Sequence, residues 1–284
     1  MSMTTGGVSP LQDAQAPIGV FDSGLGGLSV LRAIRERLPA EDLLYVADAA
    51  HVPYGGLDPD SIRARARVLT GFLVERGAKA IVVACNTATA VAVTELRHHW
   101  GLPIIGMEPA IKPAVARTRS GIVGVLATEG TLVSARFAGL LEQYAGSVRV
   151  VTQPCPGLVA AVEAGAIDTP GTRAMLAEYL EPLLSAGADT VILGCTHYPF
   201  LTPLIRDYTG PEVVVIDTGD AVARQVQRRL ERAELRKSAR VPGREWFWSS
   251  GDREAGAVTL QRLWGHAPEM QALDETPPGE QASW

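Results

Sequence analysis

Lysine is scarce in this sequence. Of 26 cationic residues, only Lys79, Lys112 and Lys237 are lysine and the other 23 are arginine, which leaves few amines for Schiff-base chemistry. Positive charge is not in excess either. The formal net charge is −5, which argues against nucleic-acid binding through a basic surface. Long hydrophobic runs are missing: the longest, such as Ala80–Cys85, reach about six residues against the roughly 18–20 that cross a bilayer. No membrane association is expected. Met1–Pro10 has neither a positive charge nor an apolar core and does not read as a signal peptide. There are three cysteines and no Cys-x-x-Cys pair, so a disulfide framework, a zinc ribbon and a dithiol redox motif are all excluded. No two histidines have metal-ligand spacing, and no metal is expected. The expectation is a cytoplasmic protein with reduced thiols.

What is present is strand–helix alternation. Ile18–Phe21, Leu43–Val46, Ala80–Ala84, Pro103–Met107, Ile122–Ala127, Val148–Val151, Thr190–Leu193 and Val213–Ile216 are short, β-branched and apolar throughout, as parallel strands covered on both faces should be. Amphipathic stretches separate them: Leu28–Leu38, Ser61–Glu75, Ala88–Trp100, Leu132–Tyr144, Thr172–Leu184 and Ala221–Arg236. The fold class is therefore α/β. Beyond Ala239 the pattern weakens to one strand at Trp246–Trp248 and a short helix at Ala257–Leu263, and residues 1–16 and 267–284 read as flexible termini.

The chain also echoes itself. Gly77–Thr87 matches Gly187–His197 at an offset of 110, Gly19–Gly24 faces Gly124–Glu129 at 105, and Ile104–Glu108 faces Val214–Asp217 at about 110. Three echoes in one order imply two pseudo-symmetric open-sheet α/β halves. The echo places Cys85 and Cys195 at equivalent positions, each where a strand ends and a helix begins. Ligands bind at such strand ends, and a helix N-terminus favours a thiolate. If the halves face each other, two thiols flank one cleft, and a carbon between them can lose a proton to one and gain one from the other. Cys155, between Pro154 and Pro156, lies outside the echo and reads as structural.

Asp22–Ser29 is a glycine-rich turn after the first strand. It lacks the Gly-Lys-Ser/Thr ending of a phosphate loop, and Ser29 stands where a dinucleotide fingerprint has its third glycine. Its amides and the Ser23 hydroxyl remain able to hold a carboxylate, and Asp22 an ammonium. His197, two residues after Cys195, is a candidate acid–base partner.

These stretches together carry a resemblance. Ile18-Gly-Val-Phe-Asp-Ser-Gly-Leu-Gly-Gly-Leu-Ser-Val30, Tyr45-Val-Ala-Asp48, Pro53-Tyr54-Gly55, Ala84-Cys85-Asn86-Thr87-Ala88 and Leu193-Gly-Cys-Thr-His-Tyr-Pro199 resemble, in order and spacing, the glutamate racemases of the cofactor-independent aspartate/glutamate racemase family. The resemblance spans about Pro17 to Leu263. It implies two α/β domains, 17–108 plus 217–266 and 109–216, with the active site in the cleft between them. It implies interconversion of L- and D-glutamate without a cofactor, with the product used in peptidoglycan. By the same resemblance Cys85 takes the proton from D-glutamate and Cys195 from L-glutamate, assisted by Asp22 and His197 respectively. Asp22, Ser23, Tyr54, Gly55, Asn86, Thr87, Thr128, Glu163, Thr196 and His197 bind substrate. A homodimer is expected, as is common among small α/β enzymes. An aspartate racemase, a thiol hydrolase using Cys195 with His197, and a two-lobed binding protein remain as alternatives on the residues alone.

Overall fold

The computed structural model describes residues 13–274. Ten strands occur among them: β1 (Ile18–Asp22), β2 (Leu43–Ala47), β3 (Ala80–Val83), β4 (Ile104–Ile105), β5 (Ile122–Ala127), β6 (Arg149–Pro154), β7 (Thr190–Leu193), β8 (Val214–Ile216), β9 (Glu245–Ser249) and β10 (Met270–Ala272). The helices are α1 (Leu28–Arg37), α2 (Pro59–Glu75), α3 (Asn86–His99), α4 (Ile111–Val115), α5 (Glu129–Leu132), α6 (Ala135–Tyr144), α7 (Leu158–Glu163), α8 (Pro170–Ser185), α9 (Thr202–Thr209), α10 (Gly219–Arg232) and α11 (Arg253–Trp264). None is long and apolar enough to cross a membrane.

The strands form two sheets, in the orders β10-β9-β2-β1-β3-β4 and β6-β5-β7-β8, and every strand pairing is parallel. The core of the first sheet, β2-β1-β3-β4, and the whole of the second repeat the same order of succession. This is an α/β fold of two pseudo-symmetric open sheets. Side chains alternate across each strand, so Ile18 and Val20 join the apolar cluster under α1 and α10, whereas Phe21 joins the one under α2 and α3. The first of these clusters continues past the sheet into Leu126, Leu158, Leu180 and Leu193 of the second half. A shared core of this kind fixes the two sheets against each other.

Several elements differ from the sequence expectation. The helix expected from Leu132 begins only at Ala135: Leu132 is the last residue of α5, and the Ser134 hydroxyl accepts from the Phe137 amide (3.1 Å) and starts α6 afresh. β6 is a half-exposed edge strand rather than a buried one. β4 holds only two residues before the chain leaves for the second sheet. α11 starts at Arg253, four residues before the expected helix, where the Asp252 carboxylate accepts from the Glu254 and Ala255 amides. The expected flexible tail from residue 267 is corrected in part: Met270–Ala272 pairs with Phe247–Ser249 as β10. Likewise Asp13–Ala16 forms a turn, and the Ala14 carbonyl accepts from Lys79 Nζ (2.6 Å). Residues 1–12 and 275–284 of the expected flexible termini lie outside the described residues.

Lys79 also pairs with Glu41 at 2.5 Å, both side chains almost wholly shielded from water. Breaking a buried pair strands one charge in a low-dielectric interior. Lys79→Met is therefore expected to cost about 3–5 kcal/mol. Urea unfolding checks this, and an unchanged midpoint contradicts it.

Candidate active site

The carboxyl ends of β1, β3, β5 and β7 converge on one small, closely packed pocket. Of the residues singled out from sequence, Ser23, Tyr54, Gly55, Cys85, Asn86, Thr87, Thr128, Cys195, Thr196 and His197 line it. Asp22 and Glu163 do not line it; they stand immediately behind the lining residues.

Cys85 lies two residues past β3 and caps α3: its sulfur accepts from the Ala88 amide at 3.4 Å and lies 3.9 Å from the Ser23 hydroxyl. Burial pushes this thiol well above its ordinary pKa, and the Asp22 carboxylate adds to the effect. Cys195 follows β7 but does not open an α-helix, contrary to the sequence reading. The chain makes a 3-10 turn, Tyr198–Leu201, before α9 starts. That detour leaves room for His197 to fold back, with Nδ1 3.6 Å from the Cys195 sulfur.

His197 is the pivot. Its Nε2 lies 2.6 Å from Glu163 Oε1 and 3.2 Å from the Gly26 amide nitrogen. One ring nitrogen cannot both donate to Glu163 and accept from Gly26. Burial alone would depress the pKa of His197, but Cys195 and Glu163 outweigh it and raise it well above the ordinary value. That direction favours the doubly protonated ring, in which Nε2–H donates to Glu163 and Nδ1–H faces the Cys195 sulfur.

The glycine-rich turn serves this contact. The Leu25 amide donates to Glu163 Oε1 (2.6 Å) and the Gly27 amide to Asp22 Oδ2 (2.6 Å). The carboxylates held by the turn are thus the protein's own. A Cβ at Gly26 would overlap the His197 ring, and one at Gly24 the Glu163 carboxylate, so both positions need a residue without a side chain. Thr196 Oγ1 donates to Asp22 Oδ2 at 3.3 Å, and Ser29 Oγ donates to the Thr196 carbonyl at 2.9 Å. Burial raises the pKa of Asp22, with the His197 charge opposing it.

On the opposite wall, Thr87 Oγ1 meets Thr128 Oγ1 at 3.0 Å and Thr131 Oγ1 at 3.2 Å. Gly55 packs so tightly on Thr128 that a Cβ would sit 2.9 Å from the Thr128 Cβ. Tyr54 lines the pocket, but its hydroxyl is turned away and donates to Asp48 Oδ2 (2.5 Å). Burial opposes the Asp48 charge, yet Arg65 and Tyr54 outweigh burial and hold this carboxyl below its usual range. Asn86 is the exception to this saturation. Both atoms of its side-chain amide are buried without a hydrogen-bond partner. Buried polar groups are rarely left so, and an amide at the pocket wall offers a donor and an acceptor to a polar ligand.

Sequence reading passed over Thr131, Val159, Pro53 and Gly194, which also line the pocket. Thr131 was legible in the Ala127–Thr131 loop; Val159 carries no polar signal. Among the described residues no group of His, Cys, Asp or Glu side chains could hold a metal ion.

Two predictions follow from the pivot. Gly26→Ala displaces His197 and is expected to lower kcat about a hundredfold, with fold retained by circular dichroism; near-native turnover contradicts it. Glu163→Gln removes a charge that raises the pKa of His197, so the imidazolium is lost at lower pH. The alkaline limb of the kcat profile is expected to move towards neutrality, and an unmoved limb contradicts the pairing.

A profile of the Asp/Glu/hydantoin racemase family matches residues 18–226. A glutamate racemase of Stutzerimonas stutzeri is 58% identical over 256 residues, which cover 90% of this chain and 96% of that one. A crystal structure of a glutamate racemase isoform from Bacillus anthracis is similar with a TM-score of 0.84 at 30% identity, covering 92% of this chain and 98% of that one. The Escherichia coli glutamate racemase, solved in complex with L-glutamate, has a TM-score of 0.80 at 31% identity, covering 91% and 98%. The chain belongs to the Asp/Glu/hydantoin racemase family and groups within it with the glutamate racemases, which makes it an isomerase.

Proposed function

We propose that the protein interconverts L- and D-glutamate by proton transfer between its two pocket cysteines, without a cofactor. The observation that supports this most directly is that Cys85 and Cys195, from equivalent strand ends of the two halves, line one pocket together with the unpartnered Asn86 amide. Inversion at a carbon needs one acid–base group on each face, and the pocket supplies two.

The two thiols stand in unequal surroundings. Burial favours the neutral thiol at Cys85, while the His197 ring, whose protonated form is favoured, lies 3.6 Å from the Cys195 sulfur. In this reading the Cys195 thiolate removes the Cα proton of L-glutamate. The electron pair spreads into the α-carboxylate, and Cys85 delivers its proton to the opposite face. Cys195 is left as the thiol and Cys85 as the thiolate, which is the state that accepts D-glutamate. The Cα proton is far less acidic than a thiol, so the carbanion needs strong, prearranged stabilisation. In this reading the Asn86 amide, the Ser23 hydroxyl and the backbone around Thr87 and Thr196, all at the pocket, supply it. The three-threonine wall suits the distal carboxylate. Glu163 acts through His197 rather than on the substrate.

The same proposal places the partition at 17–108 with 217–266 against 109–216, the protein in the cytoplasm as a homodimer, and its D-glutamate in peptidoglycan. A Cys195–His197–Glu163 line also suits a thiol nucleophile, but that use leaves Cys85 idle and predicts a trappable acyl-enzyme.

Cys85→Ala and Cys195→Ala are each expected to lower racemisation of L-glutamate by about 10²–10⁴-fold, read by chiral chromatography without added cofactor. Either variant retains one-sided exchange of the Cα proton. Full activity in either overturns the two-thiol scheme.

A further inference from the structure

α7 is short, and its end carries Glu163. The last carbonyls of a helix have no partner within it. Here the last of them, and the carbonyl two residues beyond the helix, are satisfied from α11, an element that follows the first sheet's strand β9. The Thr259 hydroxyl donates to the Glu163 carbonyl at 2.9 Å, and Arg262 Nη1 donates to the Gly165 carbonyl. Thr259 is buried at this contact and Arg262 is mostly exposed. A guanidinium at a helix C-terminus also complements the helix dipole. The same helix end therefore feels two pulls. Its side-chain carboxylate is gripped by Leu25 and His197, and its backbone is gripped by α11.

We infer that Thr259 and Arg262 are positioning residues for proton transfer on the Cys195 side of the pocket: they fix the end of α7 so that Glu163 meets His197, and His197 meets Cys195. Neither residue touches the pocket. Their effect reaches it along one line of contacts and leaves Cys85, on the other wall, untouched. The inference rests on the two-cysteine reading given above.

The test uses the purified full chain with glutamate carrying hydrogen or deuterium at Cα. The variants are Thr259→Val, which keeps the shape and loses the hydroxyl, Thr259→Ser, which keeps the hydroxyl, and Arg262→Gln at the exposed position. Loss of one such hydrogen bond is expected to lower kcat/KM about two- to tenfold. The deciding readout is the isotope effect in each direction. A slower Cys195 step makes proton removal from L-glutamate more rate-limiting and removal from D-glutamate less so. The isotope effect is expected to rise with L-glutamate and fall with D-glutamate in Thr259→Val and Arg262→Gln, and to return in Thr259→Ser. Unchanged isotope effects in both directions in Arg262→Gln, whose exposed position spares the fold, overturn the inference even where activity drops. A wild-type protein that neither racemises glutamate nor exchanges its Cα proton defeats the underlying reading instead.

Discussion

Glu163 and His197 of the second half enter the glycine-rich turn of the first, and the geometry of the pocket hangs on that insertion. The Leu25 amide and the imidazole share one carboxylate oxygen, at 2.6 Å each. The contact lies beneath the pocket, so it fixes the distance between the two halves where the cysteines face the cavity. It also biases a charge. Burial alone would favour the neutral imidazole, and the carboxylate and sulfur on its two nitrogens shift the balance towards the cation. The absence of side chains at Gly24 and Gly26 is what lets the contact form.

The threonine contacts on the other wall have a different character. Thr87, Thr128 and Thr131 meet through neutral hydroxyls, which can turn towards a ligand oxygen without leaving a stranded charge. Asp48 holds the Tyr54–Gly55 wall from behind, through Tyr54, Arg65 and Ser250. The pocket thus combines a fixed charged floor and a braced wall with polar groups left free to bind. Asn86 is the clearest of the latter, since its amide is buried and unpaired.

Much of this was legible in the sequence, for a physical reason. Strands buried on both faces must be apolar throughout, so β1, β2, β3, β5 and β7 announce themselves, and an internal repeat brings Cys85 and Cys195 into register. Roles set by distant tertiary contact were harder to read. Glu163 sits in a run of small apolar residues, and its partners Leu25 and His197 are 138 and 34 positions away. The turn Asp22–Ser29 was read as a holder of carboxylates; that the carboxylates are Asp22 and Glu163 themselves depends on how the halves dock. β10 is three residues in a stretch rich in proline and glutamate, and it owes its strand to pairing with β9 rather than to its own pattern. The break at Ser134 turns on one side-chain cap within an otherwise continuous amphipathic stretch.

Two thiols on two faces of one carbon leave an isotopic signature that no single base can imitate. Incubating the protein with L-glutamate in D2O and sampling early, before the reverse reaction matters, reads it directly by chiral separation and mass spectrometry. The account predicts D-glutamate carrying deuterium at Cα while the remaining L-glutamate keeps its hydrogen. Deuterium entering the remaining L-glutamate as fast as it enters D-glutamate would mean that one base serves both faces, and would contradict it.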